Sequence, residues 1–204
     1  VFGIEVNAPV KGGNTAQRRE HDKRIGAGTM TRSGAQCPCC GTIMTTLDMK
    51  IEGRGNGINN TPTAVVVDGI EGKEYRLPTA TENAAATIPD RVLQDSFADI
   101  PFGLPDEPLP TADRHRAVGS QLPGYGVTTW IQLFTRRQLV ALGRLIQATR
   151  NSMNIRLEYG YPEEWCTSIE KYLVLIIDKI ADYGSSLATW IVGLEAIRGT
   201  FARF

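Results

Sequence analysis

A short cysteine-rich run, Cys37-Pro38-Cys39-Cys40-Gly41, is the feature that most restricts how this chain can fold. Cys37 and Cys40 have C-x-x-C spacing, at which two thiolates can bind one metal ion if the backbone turns tightly between them. A glycine directly after the second cysteine permits the positive φ that such a turn requires. The run therefore predicts a zinc knuckle with Cys37 and Cys40 as its ligands.

The predicted knuckle supplies only half of a tetrahedral zinc site, because the sequence contains no second C-x-x-C motif. The other possible ligands, none of which is paired at ligand spacing, are Cys39, Cys166, His21 and His115. Two interpretations stay open: reduced structural cysteines in a turn, or half of a zinc ribbon whose other half is not on this chain. We favour the half ribbon. Either Cys39 or Cys40 could be its second ligand, and the following glycine favours Cys40.

The composition gives no whole-chain argument for a nucleic-acid partner, because lysine plus arginine and aspartate plus glutamate both number 22. Any such partner must bind local basic patches. No apolar run is long enough to span a bilayer, and the N-terminus lacks the layout of a signal peptide. Clustered cysteines without disulfide-like spacing favour a reducing, cytoplasmic location. The chain starts at Val1 within a strand-like run, so we expect it to be part of a longer protein.

Residues 1–80 are predicted to form a small antiparallel β module that resembles a zinc ribbon. Short strands are predicted over residues 1–6, 63–67 and 74–77, and an alternation of apolar residues predicts another over residues 42–51. The glycine-rich loop at residues 53–60 matches no phosphate-binding motif and is interpreted as a hairpin loop. Between the first two predicted strands lies a basic stretch that contains Arg18, Arg19, Lys23, Arg24 and Arg32.

Residues 81–126 are predicted to be a Pro-rich connector with one short helix over residues 89–97. Residues 127–204 are predicted to be a helical region, which makes the expected fold class α+β. Thr135 and Gln138 form a capping box for the first long helix. Pro162 starts the second, and Glu163 and Glu164 suit its N-terminal dipole. A third apolar segment covers residues 187–197.

The apolar positions of the two long helices predict which residues form their core. They recur at helical spacing, which places them on a common stripe of each helix. The residues expected to be buried are Leu139, Leu142, Ile146, Ile169, Leu173, Ile176 and Ile180.

Several separated motifs together resemble one protein family. They are the cysteine run, Tyr75-Arg76-Leu77-Pro78-Thr79, residues 104–110, Tyr125-Gly126 with residues 130–138, Ala181-Asp182-Tyr183 with Ser185-Ser186, and Thr200-Phe201-Ala202-Arg203. In this order they resemble the adenine-specific DNA methylases that contain a zinc ribbon, which are large bacterial and archaeal proteins. The resemblance runs from about residue 30 to the last residue.

The resemblance implies that the parent protein methylates the exocyclic amine of adenine with S-adenosylmethionine. Members of the family need a Gly-rich cofactor motif and an Asp/Asn-Pro-Pro-aromatic motif that grips the flipped base. Neither is found here, and the nearest string, Asp99-Ile100-Pro101-Phe102, lacks the second proline. The family's first C-x-x-C would lie upstream of Val1. The chain is therefore expected to be a central, non-catalytic segment that does not itself bind S-adenosylmethionine.

Such a segment is expected to contact DNA, since extrusion of a base requires a surface that holds the duplex backbone. Its expected partners are DNA and either the remainder of the methyltransferase or a partner subunit. The alternative is a structural module that docks a partner without touching DNA, and each basic side chain could equally be a solvated surface charge. The candidate phosphate-binding residues are Arg18, Arg19, Lys23, Arg24, Arg32, Arg136 and Arg137.

Overall fold

The computed structural model describes residues 13–25, 28–31, 33–110, 121–191 and 194–201. It contains helices and small antiparallel sheets, which confirms the predicted α+β class. The strand predicted over residues 1–6 and the basic residue Arg32 lie outside the described residues. The chain divides into two compact units. Unit 1 contains the residues up to Ala86 with Gly124–Val127 and Ile191–Ala196, and unit 2 contains the rest.

Unit 1 is built from short elements that follow one another closely along the chain. Strands β1, β2 and β3 form an antiparallel sheet in that order, and β4 pairs with β5 so that Val65 lies opposite Arg76. The elements are α1 (Thr15–Ile25), β1 (Met30–Thr31), β2 (Gly34–Gln36), β3 (Ile43–Met44), α2 (Thr46–Asn56), β4 (Val65–Gly69), β5 (Gly72–Arg76) and α3 (Ala80–Ala86).

The prediction of one strand over residues 42–51 was wrong, because only Ile43–Met44 is extended and helix α2 follows. Thr45 and Asp48 form a capping box, in which the Asp48 N–H donates to Thr45 Oγ1 (3.2 Å) and the Thr45 N–H donates to Asp48 Oδ2 (2.8 Å). The apolar alternation did not distinguish a strand from a helix, because Leu47 and Ile51 are four residues apart, which is also helical spacing.

Unit 2 has a small core that joins residues of the Pro-rich stretch to the first long helix. Leu93, Phe97 and Leu139 are buried together, and Gly143 lets the helix approach the backbone of Ser96. Among the described residues no helix is both long and apolar enough to cross a membrane. The elements are α4 (Asp90–Asp95), a 3₁₀ turn (Trp130–Leu133), α5 (Arg136–Glu158) and α6 (Glu163–Tyr183). Strands β6 (Thr189–Ile191) and β7 (Ala196–Arg198) pair with each other, and Ile191 and Ala196 are counted in unit 1.

The predicted start of the first long helix is confirmed. The Thr135 N–H donates to Gln138 Oε1 (2.7 Å), and the Gln138 N–H donates to Thr135 Oγ1 (3.4 Å). Helix α6 follows Pro162, also as predicted. The extension of the helical region to residue 204 was wrong, because Thr189–Ile191 and Ala196–Arg198 form a pair of strands. Thr189, Trp190 and Ile191 are β-branched or aromatic, which suits a strand.

The predicted core is confirmed at Leu139 and wrong at Ile176 and Ile180. Leu139 is buried, but Ile176 is 54% and Ile180 is 40% exposed. The remaining predicted core residues, which are half-buried, are Leu142, Ile146, Ile169 and Leu173. The same stripe of α6 is half-buried at Ile169 and Leu173 and exposed at Ile176 and Ile180, so its cover does not extend along the whole helix. Tyr172 and Leu175, which are 71% and 62% exposed, widen this exposed apolar surface.

A bidentate ion pair closes the segment between β5 and α3. Arg76 Nη1 and Nη2 each donate to one carboxylate oxygen of Glu82 at 2.7 Å, and the Thr79 N–H donates to the same carboxylate at 2.8 Å. These bonds, led by the one from Arg76, lower the pKa of Glu82 from 4.5 to about 2. The ionised carboxylate is thus an N-terminal cap for α3 and a partner for the end of the hairpin.

We expect replacement of Glu82 by glutamine to lower the melting temperature only where Glu82 is ionised. A pKa that is lower in the folded protein stabilises the fold fully above the unfolded value near 4.5, and this contribution disappears as the pH falls towards 2. Circular-dichroism melts between pH 7 and pH 2.5 should show two curves that converge on acidification. Glu71→Gln, in the turn between β4 and β5, is the control. A difference that grew at low pH would contradict this account.

Candidate metal and nucleic-acid site

The cysteine run forms the tip of the hairpin that joins β2 to β3. The Cys37 N–H donates to the Thr42 carbonyl (2.8 Å), and the Gly41 N–H donates back to the Cys37 carbonyl (2.9 Å). Gly41 has φ +75°, as the sequence argument required. At the base of the hairpin, a Cβ on Gly34 would lie 2.0 Å from the Met44 carbonyl oxygen, so only glycine fits there. The loop therefore has the tight turn that C-x-x-C ligation needs.

Two thiols of this loop are directed towards the same region. Cys37 hydrogen-bonds to the Cys40 sulfur, and Cys40 Sγ lies 3.2 Å from Thr42 Oγ1. The bonds from the side chain and backbone of Thr42, followed by that from Cys37, lower the pKa of Cys40. A thiolate is the form that binds a metal ion, so the loop favours the ligating state of Cys40.

Cys37 and Cys40 are the two thiols of this loop that approach each other. Cys39 is exposed on the same tip, and among the described residues no group of three or more His, Cys, Asp or Glu could hold a metal ion. Cys166 is buried in α6 of unit 2, with Sγ 3.9 Å from the Tyr161 carbonyl oxygen, and His21 lies in α1. His115 lies outside the described residues. Zinc at Cys37 and Cys40 would need further ligands from elsewhere.

The basic stretch that precedes the hairpin is helix α1, although residues 1–80 were predicted to be β-rich. Asn14 caps it, since its Oδ1 accepts the N–H groups of Ala16 (3.1 Å) and Gln17 (3.0 Å). The Asn14 N–H in turn donates to Gln17 Oε1 (2.9 Å). This N-cap pattern is the signal in the sequence that identifies the helix. The exposed basic side chains on α1 are Arg18, Arg19, Lys23 and Arg24.

Arg19 and Lys23 are the most suitable pair on α1 for an anion. They are four residues apart, so their charges lie one above the other on the same stripe of the helix. Arg24 instead follows Glu20 at the spacing at which opposite charges pair. A row of two exposed positive charges suits successive phosphates of a nucleic-acid backbone.

The two arginines that begin α5 differ in their surroundings. The Arg136 guanidinium pairs with Asp90 and donates to the Ile88 carbonyl oxygen (3.2 Å), so it links α5 to the start of α4. Arg137 is exposed. The sequence could not show the bond to Asp90, which lies 46 positions earlier. Arg137 is therefore better placed than Arg136 to contact a phosphate.

Comparison with known proteins identifies no family for this chain. No family model matches it. No curated protein and no solved structure matches it either.

We expect the whole chain to bind a metal ion weakly and through two thiolates. Titration with Co²⁺ should give thiolate charge-transfer absorption, which should disappear when Zn²⁺ displaces the Co²⁺ ion. Cys37→Ser or Cys40→Ser should abolish this absorption. Cys39→Ser and Cys166→Ser are the matched controls and should keep it. Tight binding of one ion per chain with a four-thiolate spectrum would contradict a two-ligand site.

Proposed function

We propose that this chain is the central, non-catalytic segment of an S-adenosylmethionine-dependent, adenine-specific DNA methyltransferase, in which it contacts DNA and supports the fold. The observation that carries the proposal is the hairpin tip, where the Cys37 and Cys40 thiols approach each other next to a glycine with positive φ. A basic helix precedes this hairpin in the same unit. A metal-binding hairpin with adjacent basic residues suits recognition of a duplex backbone.

The last three motifs behind the family resemblance, which contain Leu133, Asp182 and Thr200, are linked by hydrogen bonds within unit 2, which supports the structural part of the proposal. The Phe201 N–H donates to Asp182 Oδ1 (2.6 Å), and the Thr200 N–H donates to the Asp182 carbonyl oxygen (2.9 Å). Ser185 shares a hydrogen bond with Thr200, and Ser186 donates to the Leu133 carbonyl oxygen (2.7 Å). These bonds tie the end of α6 to two distant stretches of chain. Residues of the motifs therefore hold the fold together.

The DNA contact is assigned to α1, with Arg19 and Lys23 as its centre and Arg18, Arg24 and Arg137 as further candidates. The chain as a whole is neutral, so the attraction is local and contacts phosphates without reading sequence. Zinc, when bound, would fix the direction of the hairpin tip through Cys37 and Cys40, with further ligands from outside this segment.

A second candidate function is docking of a partner protein through unit 1 without contact to DNA. Leu47 and Ile51 favour it, because both lie on one stripe of α2, directly after the hairpin, and are 65% and 61% exposed. Exposed aliphatic side chains at i, i+4 suit a protein surface better than a phosphate backbone.

Three measurements on the purified chain test the proposal. Calorimetry with S-adenosylmethionine should show no binding, and a methyl-transfer assay on adenine-containing duplex should show no turnover. Labelled duplex DNA should bind, as measured by fluorescence anisotropy, with little dependence on its sequence. Cofactor binding or turnover would contradict a non-catalytic segment. Absence of DNA binding would reject the DNA contact and leave partner docking.

A further inference from the structure

Helix α6 exposes an apolar face that unit 2 does not cover. Trp165, Tyr172, Leu175 and Ile176 are each more than half exposed, and Ile180 and Tyr183 continue the same face. These six residues are called the α6 face. Trp165 and Tyr172 are one heptad apart, as are Ile176 and Tyr183, so the face runs along the helix as a coiled-coil seam does. Such a face is a site for another helix.

The chemistry of the α6 face favours a protein over a nucleic acid or a small ligand. Glu163 and Glu164 begin the helix beside Trp165 and would repel phosphates. The groove along the face has Lys179 as its only charged residue. That ammonium group lies 4.5 Å from the centre of the Tyr183 ring and 3.5 Å from Asp182 Oδ2. The charge is thus satisfied within its own helix, and the face remains apolar.

The charges beside the α6 face define one partner. Lys171 and Asp178 are both exposed and seven residues apart, so they lie on the same flank of the face. In an antiparallel, two-fold pair of helices the same flanks meet. A two-fold axis that crosses the interface midway along the helix between Lys171 and Asp178 then places Lys171 of each copy opposite Asp178 of the other. The flank is therefore complementary to itself in this orientation.

We infer that a second copy of this chain covers the α6 face, with the two α6 helices antiparallel and two Lys171–Asp178 ion pairs at the edge. In this arrangement Trp165 of one copy packs against the turn of the other copy that contains Ile180, Tyr183 and Gly184. Tryptophan and tyrosine are the residues that most often carry interface energy. The pairing is independent of the proposed contact to DNA.

The area of the face sets the strength of the expected dimer. With a whole aromatic side chain taken as about 200 Å², the exposed parts of the α6 face amount to on the order of 600 Å² per copy. This is somewhat less than the ~800 Å² per partner of a standard specific interface. We therefore expect a dimer that dissociates on dilution.

Charge reversal tests the inference. Sedimentation velocity over a concentration series should show reversible dimers for the unmodified chain. Lys171→Asp and Asp178→Lys alone should each weaken the dimer by about tenfold or more, because both ion pairs become repulsive. An equimolar mixture of the two variants should form heterodimers, and the double variant Lys171→Asp/Asp178→Lys should recover the original affinity. This recovery separates a specific pair from a general effect of charge.

Apolar variants and a matched control complete the test. Ile176→Glu should give a monomer, whereas Val174→Glu, at an exposed position on the opposite side of α6, should leave the dimer intact. Circular dichroism should show that every variant keeps its helix content. A chain that stays monomeric at all concentrations would overturn the inference. So would a dimer that is insensitive to both the charge reversals and Ile176→Glu, since it would use another surface.

Discussion

Leu139→Ala is expected to destabilise unit 2 by about 3 kcal/mol, within the range of about 2–5 kcal/mol for buried leucine truncations. Leu139 is only 3% exposed and packs against Leu93 and Phe97, so the truncation leaves a cavity between α4 and α5. The three tryptophans, Trp130, Trp165 and Trp190, all belong to unit 2. Tryptophan fluorescence during urea denaturation therefore measures the free energy of unfolding of this unit alone.

Leu145→Ala is the matched control for this prediction. It removes the same atoms from the same helix, but Leu145 is 37% exposed, so the cost should be below about 1.5 kcal/mol. Equal losses for the two variants would show that the core of unit 2 does not lie where Leu93, Phe97 and Leu139 meet.

The second large effect concerns DNA. The double variant Arg19→Gln/Lys23→Gln should bind duplex DNA about tenfold or more weakly at low salt. It should also reduce the slope of log K against log salt by about 1.8, because each lost phosphate contact removes about 0.9. Fluorescence anisotropy with two unrelated duplexes measures both quantities, and the loss should be equal for the two.

Arg91→Gln/Arg150→Gln is the control, since it removes the same number of exposed positive charges from unit 2. It should leave the slope unchanged. If both double variants lowered the affinity for DNA and the salt slope equally, the attraction would be a diffuse effect of net charge. The assignment of the DNA contact to α1 would then be wrong.

How well the sequence predicted the fold depended on how local the determining contacts were. The start of α5 was predictable because Thr135 and Gln138 are three residues apart and satisfy each other. Thr45 and Asp48 are also three residues apart and satisfy each other, but the apolar alternation of residues 42–51 favours a strand, because i, i+4 spacing satisfies both patterns. The exposure of Ile176 was not predictable, because helical periodicity does not tell how much of an apolar stripe a neighbour covers.

The candidate site follows the same rule. The cysteine turn is closed by bonds within six residues, so its shape could be derived from Gly41 and the C-x-x-C spacing. The partner of Arg136 lies on a different helix, and the bond from Phe201 to Asp182 spans 19 positions. Only the folded chain shows that these polar groups bond to distant parts of the chain and stabilise the fold.

The most direct test of the proposed function is the salt dependence of DNA binding by the unmodified chain. Anisotropy titrations between about 50 mM and 200 mM salt should give a linear plot of log K against log salt, with a slope of about −2 or steeper, independent of the duplex sequence. A slope near zero, or no binding at the lowest salt, would contradict the assignment of this chain as a DNA-contacting segment.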